Sequence, residues 1–170
     1  MTRRWPVTLS KRRRIGVAIV LGLVIFIPVA EAEETFHMMG CSSGTFTMLS
    51  ESKPLTVHNI IGKGTAWGIT GNKTFDNMTW QFVAVLRTMD GNTIGMGYYK
   101  FTTPDGDNFV LEGMGDTVLE GGTWKFLHGT GKWKGATGHA TGKFIVRGKP
   151  VPLESEQYWC RVIGTIQLSK

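Results

Sequence analysis

The segment "FVLEGMGDTVLE", residues 109–120, spaces Glu112, Asp116 and Glu120 four residues apart. On an extended strand, where side chains alternate between faces, that spacing puts all three carboxyls on one side, together with Val110, Met114 and Val118. A carboxyl among apolar neighbours loses hydration, which raises its pKa and prepares it for proton transfer; on a solvated face it is an ordinary surface charge. Both readings of this face are open, because the sequence does not say which side is interior. Glu112, Asp116 and the phenol of Tyr99 are the candidate acid, base and hydrogen-bond donor.

Aromatic residues give a second candidate site. Trp67, Trp80, Phe82, Phe101, Trp124 and Phe126 are distributed over several apolar segments. Those that point inward would line an apolar pocket for a small hydrophobic or aromatic molecule, or would simply fill a core without a cavity. No metal or cofactor is expected. The histidines at 37, 58, 128 and 139 never fall at the i, i+2 or i, i+4 spacing of a local metal pair.

The glycine-rich stretch "HGTGKWKGATGHATGK", residues 128–143, does not cradle a phosphate. A P-loop ending at Gly131-Lys132 needs glycine where Phe126 stands, and one ending at Gly142-Lys143 needs it where Thr137 stands. The dinucleotide pattern begun by Gly129 and Gly131 meets Lys134 in its third slot. A glycine-supported bend between two strands, with Trp133 as an apolar plug, fits instead.

The elements that must position these residues are strands. From Gly40 onward no segment keeps a 3.6-residue apolar period; short β-branched and aromatic runs are cut by Gly, Asn, Asp and Pro clusters. Strands are expected near 43–50, 56–69, 78–89, 93–103, 108–119, 123–128, 139–147 and 156–168. Turns are expected at Asp90-Gly91-Asn92, at Pro104-Asp105-Gly106-Asp107 and at Gly121-Gly122. Eight strands are enough to close a small antiparallel barrel, so the expected fold is all-β. The third strand is apolar on both sides, with Trp80, Phe82, Ala84 and Leu86 on one and Val83 and Val85 on the other, which suggests a covered or self-associating outer face.

Residues 1–32 read as a secretory signal peptide: six cations, an apolar run from Ile15 to Ala30, then Ala30-Glu31-Ala32 as a small-residue cleavage signature. The apolar run is too short for a comfortable membrane span, so contact with a membrane is expected only through this segment if it stays uncleaved. The remaining domain is 33–170, exported to the periplasm or beyond. Removing residues 1–32 takes six of the 19 basic and one of the 13 acidic residues, leaving 13 against 12, a net charge of +1. That near-neutral chain lacks the cationic excess of nucleic-acid proteins, which are excluded as a class. Within it, residues 105–120 carry five acids and no base while 121–149 carry six bases and no acid, an arrangement expected to cancel across neighbouring strands. Cys41 and Cys160, at the two ends of the domain, are expected to pair as a disulfide in an oxidising compartment. Asn72-Lys73-Thr74 and Asn77-Met78-Thr79 match glycosylation sequons.

"GGTWKFLHGTGKWKGATGHATG", with the preceding "PDGDNFVLEGMG", resembles the glycine-threonine-glycine motif of the allene oxide cyclase and dirigent-like barrel superfamily, and in particular small exported bacterial members. The likeness spans about residues 91–147 and centres on Gly129 to Gly135 with Gly138. It implies an eight-stranded antiparallel barrel, a trimer in many members, whose lumen holds a lipophilic or phenolic molecule and acts without a cofactor. Three functions follow as expectations: a barrel that binds a small hydrophobic or phenolic ligand, a cofactor-independent isomerase, cyclase or lyase, and a structural envelope protein.

Overall fold

A computed structural model describes residues 33–69, 73–116, 120–148 and 155–169. The expected signal segment, the Asn72 sequon and the far end of the fifth strand lie outside the described residues. Eight strands run in chain order: β1 (Glu34–Ser52), β2 (Leu55–Gly68), β3 (Met78–Met89), β4 (Asn92–Thr102), β5 (Asn108–Asp116), β6 (Gly121–Gly129), β7 (Thr137–Gly148) and β8 (Ser155–Gln167). Each pairs antiparallel with its neighbours, and β1 pairs with β8, closing the barrel. Among the described residues no helix is long and apolar enough to cross a membrane.

Strict alternation builds the wall. On β3, Met78, Trp80, Phe82 and Ala84 are buried in the lumen while Thr79, Gln81, Val83 and Val85 face out. At Asp90-Gly91 both residues adopt positive φ, 51° and 82°, the backbone a two-residue hairpin needs, so β3 and β4 stay in tight register. Gly121 and Gly122, expected in a turn, instead open β6 and pair with Lys143 and Gly142. β1 begins at Glu34, well before the expected 43, because "TFHMMGC" already alternates Phe36, Met38 and Gly40 inward and pairs with β8 throughout.

The expected disulfide is corrected by register. Gly40 sits opposite Cys160, and Cys41 opposite Trp159. The two cysteines are therefore on adjacent strands but one position out of step, and a one-residue offset sends side chains to opposite faces. Cys41 points outward, its Sγ 3.2 Å from Thr65 Oγ1, while Cys160 is buried in the lumen; both are free thiols. Acid and base segments meet as expected at one pair, Glu112 facing Lys125 across β5 and β6.

One barrel end is sealed. Single-turn 3-10 segments at Lys73–Phe75 and Gly131–Trp133 tuck Phe75 and Trp133 into the opening. Phe75 stacks on Phe36 at 4.2 Å between ring centroids, and Trp133 lies 4.5 Å from Phe109. The glycine motif makes this plug possible. Lys132 N–H donates to Asp107 Oδ2, Asn108 N–H to Thr130 Oγ1 and Thr130 N–H to Asn108 O, so the two sequence stretches of the motif clamp together. Gly131 has φ +52°, and a Cβ there would lie about 2 Å from the Asp107 carboxylate.

Candidate functional site

The opposite end of the lumen is open, and there the barrel forms a cup of about 240 Å³. Its wall is apolar and largely aromatic, from Phe46 on β1, Ile60 on β2, Phe82 and Leu86 on β3, and Phe144 on β7. Tyr99 from β4 and Tyr158 from β8 line its lower part, and Asp116 and Glu156 lie at its edge. Space for the cup comes from small residues where the strands converge: Ala84, Gly95 and Gly115 bring no bulk to the wall.

Below the cup the lumen is nearly full. Trp80 stacks against Phe101 at 5.6 Å with planes 8° apart, against Phe82 at 5.2 Å, and edge-on to Tyr158 at 6.3 Å. A residual hollow of about 20 Å³ remains between Trp80, Trp124, Leu111 and Cys160, with Tyr99 and Tyr158 shared between it and the cup. The two phenols thus form the floor.

Burial governs their chemistry. Tyr99 is pushed up to about 12 by desolvation, the charge of Glu156 adding to the rise while a hydrogen bond from Trp124 opposes it. Tyr158 is raised well above the usual phenol value, first by burial and then by Tyr99, with the neighbouring Ser42 opposing. Burial lifts the Cys160 thiol to about 11. At neutral pH the floor consists of protonated, uncharged donors.

The residues singled out in the sequence are spread over the cup, the layer beneath it, the sealed end, the outer face and the rim. Tyr99 and Phe82 line the cup; Trp80, Phe101 and Trp124 lie beneath it; Phe126 belongs to the sealed end, 6.4 Å from Trp133. Glu112 is on the outer face, where Tyr98 Oη donates to its Oε1 at 3.3 Å, so it does not reach the cup. Trp67 also faces out, edge-on to Trp159 at 6.3 Å. Asp116 is paired with Ile94 and Gly121 at the end of β5 and borders both the cup and an outer hollow. Glu156, Tyr158 and Ser42 were not legible as site residues. Their signal is the alternation of "SEQYWC", which puts Glu156, Tyr158 and Cys160 on one face once the lumenal phase is known.

A larger hollow, about 730 Å³, is outside the barrel, beside Ile94, Met114, Lys143, Arg161 and Ile163. It is bounded by one side of the sheet, whereas the cup is enclosed by strands all round and concentrates the aromatic surface. Among the described residues no group of three or more His, Cys, Asp or Glu is placed to hold a metal ion.

Comparison with solved structures places this architecture. The pterocarpan synthase dirigent protein GePTS1 superposes with a TM-score of 0.53 at 11% identity, covering 92% of this chain and 100% of that one. A second pterocarpan synthase dirigent protein, PsPTS1, gives 0.51 at 12% identity over 82% and 97%. No family model matches the sequence, and no curated protein matches it. The fold is a dirigent-like, allene oxide cyclase-like barrel.

Proposed function

We propose that this barrel binds a small hydrophobic or phenolic molecule in its open cup. The observation that carries the reading is the cup itself: one end of the lumen is plugged by Phe75 and Trp133, while the other keeps about 240 Å³ between aromatic walls over a phenolic floor. That volume lies just below the usual range for drug-sized sites, roughly 300–1,000 Å³, and suits a ligand of one or two rings. Burying roughly 150 Å² of one ring at about 25 cal/mol per Å² contributes about 4 kcal/mol, the equivalent of millimolar affinity before any hydrogen bond is made. The names of the two solved dirigent proteins attach synthesis to barrels of this fold, which supports a lumen that orients a reacting molecule.

Calorimetric titration of the protein with 4-ethylphenol tests the reading. Ala84 lines the cup, and Ala84→Leu fills part of it. The wild type is expected to bind one equivalent, and the variant, with an unchanged circular dichroism spectrum, to lose at least about tenfold in affinity. Equal binding by both would place the ligand elsewhere and defeat the proposal.

A second reading is a cofactor-independent isomerase, cyclase or lyase. It is favoured by the juxtaposition of Asp116 and Glu156 at the edge with Tyr99 below, a carboxylate to take a proton and a phenol to give one. Export accompanies either reading: residues 1–32 serve as the signal, the mature domain is 33–170, and the amino terminus of the exported protein is expected at Glu33. Self-association, to the trimer the resemblance implies, would use the exposed Val83, Val85, Met96, Tyr98 and Met114 on the outer face of β3 to β5.

A further inference from the structure

Two polar side-chain atoms of the lower lumen lack a hydrogen-bond partner. Trp80, Gly64, Ser42 and Tyr158 lie side by side in one row across β3, β2, β1 and β8. Trp80 is 5% exposed and Ser42 9%, and neither Trp80 Nε1 nor Ser42 Oγ has a hydrogen-bond partner. Tyr99 occupies the next row, opposite Phe82, with the Trp124 ring edge-on to it at 6.0 Å between centroids. A Trp N–H can only donate, and a buried donor without an acceptor costs about 1–3 kcal/mol, but Trp80 lines the small hollow beneath the cup and not the cup itself; the donors that reach the cup are the hydroxyls of Tyr99 and Tyr158.

We infer that the cup takes a ligand bearing a carbonyl oxygen, a small aryl ketone or aldehyde, received at the floor between the hydroxyls of Tyr99 and Tyr158. This rests on the ligand-binding reading above and adds the chemistry of the molecule. A carbonyl offers two lone pairs and no proton, so it can accept from both phenols and leave no donor of its own unpaired. A phenolic hydroxyl also accepts, but it must place its own proton as well, so it is received here less readily than a carbonyl. A carboxylate is disfavoured because it would be desolvated close to Glu156, whose charge already acts on both phenols. The aromatic ring of the ligand then lies upward against Phe46, Phe82 and Phe144. Trp124, edge-on to Tyr99, and Ser42, opposite Tyr158 across β1 and β8, act as positioning residues beside the phenols rather than against the ligand.

Calorimetry with acetophenone, ethylbenzene and benzoate tests this, the first two having nearly the same shape with and without the oxygen. Acetophenone is expected to bind about tenfold or more tighter than ethylbenzene, and benzoate weaker than either. In Tyr99→Phe and Tyr158→Phe the preference for the ketone should shrink to about two- to threefold while ethylbenzene binding is kept. Infrared spectroscopy of the wild-type complex supplies a measurement that needs no variant: the C=O stretch of bound acetophenone should lie below its position in hexane, as donation from two hydroxyls requires. Equal affinity for acetophenone and ethylbenzene, or a hexane-like stretch, overturns the carbonyl inference while leaving the cup as a binding site. Failure of all three probes to bind overturns the binding reading itself.

Discussion

Tyr99 and Cys160 hold their protons in the folded barrel at pH values where an unfolded chain has released them. For the thiol, burial moves the value from 9.0 to about 11, and for the phenol from 10.0 to about 12. A folded-state pKa above the unfolded one means that the stabilisation is complete below the unfolded value and is lost as pH rises through the folded value. Thermal stability is therefore expected to hold up to about pH 9 and then to fall, through pH 9–11 with Cys160 and 10–12 with Tyr99. In Cys160→Ala the fall should begin about one pH unit later, and melting curves followed by circular dichroism will show whether it does. The thiols make a second residue-level prediction. Iodoacetamide should label Cys41 in the native protein and both cysteines, without reductant, in denaturant, as read by intact mass; no labelling in denaturant would show a bridge.

At the scale of elements, alternation and turn chemistry carried most of the fold into view, and phase carried the rest out of it. The apolar and β-branched run "MTWQFVAVLRTM" begins and ends where β3 does, and Asp90-Gly91 marks its hairpin. What a strand's own residues do not contain is which of its two faces closes onto the lumen. For β5 that choice decides the role of Glu112, which closure turns outward to Tyr98. For β8 it decides that Glu156 and Tyr158 belong to the cup. The cysteines illustrate the same limit. Their proximity follows from the first strand meeting the last, but their opposite orientation depends on a single step of register that no local pattern records. The glycine motif was legible as a bend and Trp133 as a plug, whereas the partner of the bend, Asp107, lies on another turn and emerges only with the fold. Because Trp133 is fully buried against Phe75, Phe109 and Phe126, Trp133→Ala should cost about 3–5 kcal/mol in urea unfolding. A loss under about 1 kcal/mol would mean that the end is not sealed as described.

For the molecule as a whole, the asymmetry between its two ends is what turns a small barrel into a receptacle. Eight strands enclose an interior that side chains can fill completely. Here they fill it from one end, with Phe36, Phe75, Phe109 and Trp133 packed ring to ring, and stop at Tyr99 and Tyr158. The outer surface carries its own apolar and cationic features, including the larger hollow beside Lys143 and Arg161, so occupancy of the cup has to be distinguished from occupancy of the outside. A crystal soaked in 4-bromophenol does this in one experiment, because anomalous scattering locates the bromine without reference to the protein atoms. The strongest peak is expected inside the barrel, between Phe82, Phe144 and the two floor tyrosines. A peak confined to the outer hollow, or an empty cup at saturating ligand, would contradict the account.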